Sequence, residues 1–101
     1  MVIADWLDRH TSRAPAALRM RVREYTMSAA SRDSPAATLA EAGRRALERV
    51  VAHPGDRSVA LDLLAADALV TLALLAQAQD HPERLGEFAA GVLRAGGPAR
   101  D

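Results

Sequence analysis

The sequence predicts an all-α protein, a compact bundle of four main helices with a short N-terminal helix, in one domain over residues 1–95 followed by a flexible tail over 96–101. Three observations carry this expectation. No stretch alternates apolar and polar residues with period two, and β-branched residues are scarce. Breaker clusters at 11–15 (TSRAP), 31–35 (SRDSP), 53–56 (HPGD), 80–83 (DHPE) and 96–98 (GGP) cut the chain into five segments of helical length. Within those segments the apolar residues recur at i, i+3, i+4 and i+7.

The first segment, about 2–9, places Ile3, Trp6, Leu7 and His10 on one face, so it should dock on the bundle through Trp6. The second, about 15–30, starts at Pro15 and lines up Leu18, Val22, Tyr25 and Ala29, leaving its other sides rich in arginine. The third, about 35–53, has Ser34 as its cap and Pro35 at its first position. It buries Leu39, Gly43, Ala46, Leu47 and Val50, exposes Glu41 four residues before Arg45, and stops at His53-Pro54-Gly55. The fourth, about 57–80, is capped by Asp56, is the longest and most apolar segment, and should be central. The fifth, about 82–95, follows Asp80 and Glu83 in a capping-box arrangement and repeats Leu85, Phe88, Ala89, Val92 and Leu93 on one stripe.

The core available to these helices is thin. Half of the 101 residues are hydrophobic, but 23 of the residues are Ala and only one each is Trp, Tyr and Phe. Cysteine is absent, which removes disulfides, thiol catalysis and cysteine-based metal centres together. The 13 basic residues are all Arg and balance 13 acidic ones, so no bulk attraction to polyanions is expected. Arg without Lys, beside abundant Ala, fits a GC-rich, bacterial-like coding composition. The N-terminus MVIADWLDRH has no basic leader and no long apolar run, which points to a cytoplasmic protein. The 18 residues from Val59 to Ala76 approach the length of a membrane span, but they carry Asp62 and Asp67, each costing about 2.5 to 3.5 kcal/mol near a bilayer centre. No span is expected.

Charge is distributed by region. Residues 9–32 hold six arginines against Glu24 alone, a local balance of +5, whereas residues 56–87 stand at −4. Arg19, Arg21 and Arg23 are the candidate polyanion contacts of this cluster. Arg19 and Arg23 share a helix face while Arg21 points nearly opposite, which breaks the basic stripe that nucleic acid would require. Complementary charges instead place Arg19 or Arg23 beside Asp62 or Asp67. These two aspartates, with Thr71 one turn further on, are the polar anomaly of the fourth segment and are expected to be buried. Five residues apart, they lie about 140° from each other around a helix and cannot act as a carboxylate pair. His10, His53 and His81 all fall at helix ends, where an imidazole satisfies terminal carbonyls. No phosphate loop, nucleophile elbow or metal-binding helix motif occurs, so neither catalysis nor a cofactor is indicated.

Around the fourth helix, Leu61, Leu64, Ala65, Ala68, Leu69, Leu72, Leu75 and Ala76 form one apolar arc suited to the core. Val59, Leu63, Val70 and Leu74 form a second strip rimmed by Asp62, Asp67 and Thr71, a pattern expected of an interface.

Residues 63–75, LLAADALVTLALL, resemble the Ala-Gly-Asp-Ala-Leu-Leu helix of trans-polyprenyl diphosphate synthases. The resemblance covers 13 of 101 residues, implies a helix, and matches Asp67 in position. The adjacent-aspartate metal motif of those enzymes is absent, so it implies neither their activity nor their metal. The expectation is therefore a non-catalytic interaction or accessory module, acting as a homodimer or as a small subunit, with Leu63, Val70, Leu74, Val59 and Trp6 at its interface. The alternatives are a nucleic-acid-binding regulator using arginines of residues 9–32 and a helical protein holding a small apolar, isoprenoid-like ligand near Asp67.

Overall fold

Each breaker cluster ends a helix through a specific backbone device. A computed structural model describes residues 2–29 and 32–96 and contains five α-helices: α1 (Ile3–His10), α2 (Ala16–Ser28), α3 (Pro35–Ala52), α4 (Ala60–Asp80) and α5 (Leu85–Gly96). Among the described residues there is no strand. Beyond Gly96, the last residue of α5, the expected tail lies outside the described residues.

At the end of α1, the Thr11 hydroxyl donates to the Leu7 carbonyl at 2.7 Å and His10 Nδ1 to the Trp6 carbonyl at 2.8 Å. The Ser34 hydroxyl accepts from the Ala37 amide at 3.1 Å at the start of α3, ahead of Pro35. His53 Nδ1 donates to the Arg49 carbonyl at the other end of α3, and Gly55 turns the chain at φ +81°, which a side chain would oppose. The Asp56 carboxylate accepts from the Ser58 amide and opens a single 3₁₀ turn, Arg57–Val59, that feeds α4. One boundary differs from expectation. Asp80 is the last residue of α4 and caps nothing; a second 3₁₀ turn, Pro82–Arg84, leads into α5.

α4 packs against α2, α3 and α5, most extensively against α3. Their seam is built of small residues: Ala42, Ala46, Ala65 and Ala73 are completely buried, with Leu39 and Leu69 filling the space between them. Gly43 marks the closest approach, since a Cβ there would stand 3.2 Å from Val70 Cγ2. An alanine-rich chain with few large side chains thus obtains close packing by bringing backbones together. Trp6 and Leu7 close one end, with Trp6 Nε1 donating to Gln79 Oε1 at 3.0 Å and its ring stacked on His10 at 4.1 Å.

The orientation of α4 departs from the expected one. Its buried residues are Asp62, Ala65, Ala66, Leu69, Leu72, Ala73, Ala76 and Gln77. Counted at 100° per residue, this face is turned by about 80° from the purely apolar arc of the sequence. Leu64 and Leu75 consequently face solvent, 56% and 38% exposed, and Asp62 points into the core. Alanine at four of the buried positions permits the close packing, and partners for both polar residues on the face remove the obstacle to burying them. By length and composition the stretch Arg57–Asp80 could also cross a membrane, although 44% of its most apolar part is buried inside this fold.

Candidate functional site

Two features could carry function: an ionic cluster beneath α2 and an apolar groove between α3, α4 and α5.

In the cluster, Asp62 Oδ1 accepts from Arg21 Nη1 at 2.6 Å and from the Tyr25 hydroxyl at 2.8 Å, while Arg49 Nε lies 3.5 Å from Oδ2. Burial pushes the Asp62 carboxyl up, but the hydrogen bonds from Tyr25 and Arg21 and the charges of Arg21 and Arg49 outweigh it and hold the group below its ordinary value. Burial and the Asp62 carboxylate push the Tyr25 phenol up to about 12. The complementary charges of α2 and α4 therefore do meet, but through Arg21, the arginine whose direction broke the basic stripe. Arg23 instead pairs with Asp8 at 3.0 Å on the surface, and Arg19 is exposed with no ion pair among the described residues. A twist of α2 toward α4 gives Arg21 the only buried carboxylate within reach.

Asp67 and Thr71 are exposed, contrary to expectation, because the rotation that buries Asp62 carries them outward. Thr71 Oγ1 donates to the Asp67 carbonyl at 2.9 Å and leaves the carboxylate untouched. Val59 and Trp6, expected at an interface, are instead buried within the chain, at 7% and 3% exposure. Val59 is held by the 3₁₀ turn and Trp6 by its bond to Gln79. Leu63 is half exposed, and Val70 and Leu74 are partly buried.

Leu63 and Val70 lie on the wall of a groove of about 580 Å³. Ala37, Ala40, Gly43 and Leu47 of α3 and Ala66 of α4 continue that wall, and Phe88, Gly91 and Val92 of α5 face it. The groove is open because α5, despite its apolar stripe, has no fully buried residue among those described. Its lip is polar: Arg32, Glu41, Arg44 and Asp67.

Glu41, expected to be exposed, is the hub of this lip, its side chain only 11% exposed. Arg44 grips it with two bonds at 3.1 and 2.6 Å, Arg45 adds a third at 3.2 Å, and Arg32 stands at 3.4 Å. The hydrogen bond from Arg44 leads, opposed by burial and helped by Arg45 and Arg32, and holds the Glu41 carboxyl at about 2. Arg44 also pairs with Glu48, and Arg45 Nη1 donates to the Ser28 carbonyl at the end of α2. The sequence signal for this hub was the Glu41–Arg45 spacing; what it lacked was the neighbouring α4 and α5 that cover the residue. No group of residues suited to hold a metal ion occurs among those described. A scan of protein-family models finds no match to this chain, and searches of curated proteins and of solved structures find none either.

Proposed function

We propose that this protein is a non-catalytic binding module that takes an apolar group into the groove between α3, α4 and α5. The supporting observation is the groove itself: a concavity of about 580 Å³, walled by aliphatic groups and Phe88, with its charged residues confined to the lip. Sites for small apolar ligands share this size range and this division between apolar wall and few polar groups. The arginines and carboxylates that might serve other chemistry are engaged with one another: Arg21 with Asp62, Arg23 with Asp8, and Arg32, Arg44 and Arg45 with Glu41. That engagement also weighs against nucleic-acid binding by the arginines of residues 9–32, leaving Arg19 as a lone contact. The test is titration with an environment-sensitive apolar dye. Saturable binding that is lost in Gly91→Leu, with that variant still folded, supports the reading; equal dye uptake by both proteins overturns it.

A second reading, association of two copies, is favoured by one observation. The outward face of α4 presents Leu64 and Leu75 on one line, 56% and 38% exposed. Light scattering of the wild type and of Leu64→Arg tests it: a concentration-dependent dimer abolished by the substitution supports association, and a monomer at high micromolar concentration rejects it.

A further inference from the structure

We propose that the occupant of the groove is a cationic amphiphile, an aliphatic chain ending in an ammonium-type head that meets the carboxylate of Asp67. This rests on the binding reading above. The walls accept only the chain, so selectivity must come from the lip. There the charges are unequally free. Both oxygens of Glu41 are taken, Oε1 by Arg44 and Arg32 and Oε2 by Arg44 and Arg45, and those bonds in turn occupy the arginines. Asp67 is exposed, lines the groove, and its carboxylate has neither a hydrogen bond nor an ion pair among the described residues. The uncommitted charge at the mouth is therefore negative. An anionic head entering beside it would be repelled by Asp67 and would have to displace Glu41 from its arginines. A cationic head displaces nothing.

The experiment compares three ten-carbon probes with the same tail, decylammonium, 1-decanol and decanoate, each titrated calorimetrically below its micellar concentration into the full chain at pH 7. The expected order is decylammonium, decanol, decanoate, with the ammonium favoured over the alcohol by about fivefold, the scale of an exposed ion pair. Asp67→Asn, at an exposed position, should leave decanol binding unchanged and remove the preference for the ammonium. Gly91→Leu should weaken all three. Equal affinities, or a preference for decanoate, overturn the assignment of Asp67 while leaving the groove reading intact. Failure of all three probes to bind overturns the groove reading itself. Undiminished binding to Gly91→Leu places the probes elsewhere and overturns both.

Discussion

Arg21 of α2 donates to Asp62 of α4 across 2.6 Å, joining residues 41 apart in sequence, and the carboxylate it reaches is 1% exposed. This bond explains how the most apolar helix of the chain turns a charged residue inward. It also predicts an asymmetry. Arg21→Met leaves a buried carboxylate short of its closest cation and should cost about 2 to 4 kcal/mol, below the full cost of a broken buried pair because Tyr25 and Arg49 remain. Asp62→Asn should cost about 1.5 to 3 kcal/mol, the scale of a hydrogen bond to a charged group. The double variant should lose less than the sum, with a coupling of about 0.5 to 3 kcal/mol in urea unfolding. Arg23→Ala, which breaks the exposed pair with Asp8, should cost under about 1 kcal/mol. Strict additivity of Arg21→Met and Asp62→Asn would remove the pair from the account of stability.

Acid should unfold the protein in a defined window. Glu41 is held at about 2 in the fold against an ordinary value of 4.5. Below the ordinary value the unfolded chain takes up the proton and the folded one resists it, so the stability due to Glu41 is complete above about pH 4.5 and is lost as pH falls through about 2. The whole contribution is about 3 kcal/mol at most. Asp62, also depressed, adds to the loss with the same sign. Urea midpoints measured at pH 7, 4 and 2.5 should fall steeply over the last interval, and Glu41→Gln should flatten that fall. An unchanged slope in Glu41→Gln would assign the acid sensitivity to other carboxylates.

Local signals were legible in the sequence where a single residue sets a single backbone feature. Ser34 before Pro35, the His53-Pro54-Gly55 stop and the alternation of breakers with periodic segments each correspond to an observed cap, turn or helix. Rotation about a helix axis was not legible in the same way. The apolar count around α4 favours Leu64 and Leu75 for the core, but the fold buries alanines there, because α3 supplies Gly43 and Ala46 and can approach closely only over small residues. Asp62 counts as a cost in the sequence and becomes acceptable only once Arg21, Tyr25 and Arg49 converge on it from two other helices. The groove was half visible: the strip holding Leu63 and Val70 was identifiable, whereas its closure by Phe88 depends on how loosely α5 sits.

Trp6 is the sole tryptophan, 3% exposed, stacked on His10 and bonded to Gln79, so its emission reports the docking of α1. It should be blue-shifted in the native protein and move to the red in the same transition as the loss of helical circular dichroism. Gln79→Leu should leave the indole N–H without its partner and cost about 1 kcal/mol or more. A native emission like that of free tryptophan would mean that α1 does not stay on the bundle.

Two glycines on facing helices should respond oppositely to the same added methyl group. Gly43 of α3 meets α4 so closely that a Cβ would stand 3.2 Å from Val70 Cγ2 and 3.4 Å from Leu69 Cβ. Leu69 is completely buried and cannot move aside freely, so Gly43→Ala should overpack the seam and cost about 1 to 3 kcal/mol, exceeding the gain in helix propensity. Gly91, in the middle of α5, offers a Cβ only the Arg94 guanidinium at 3.9 Å. There the propensity gain stands alone, and Gly91→Ala should stabilise by about 0.5 to 1 kcal/mol. Thermal unfolding of the two variants beside the wild type checks both signs in one experiment. Stabilisation by Gly43→Ala would mean that α3 and α4 lie further apart than this seam requires, and destabilisation by Gly91→Ala would mean that α5 closes on the groove more tightly than its half-buried face indicates.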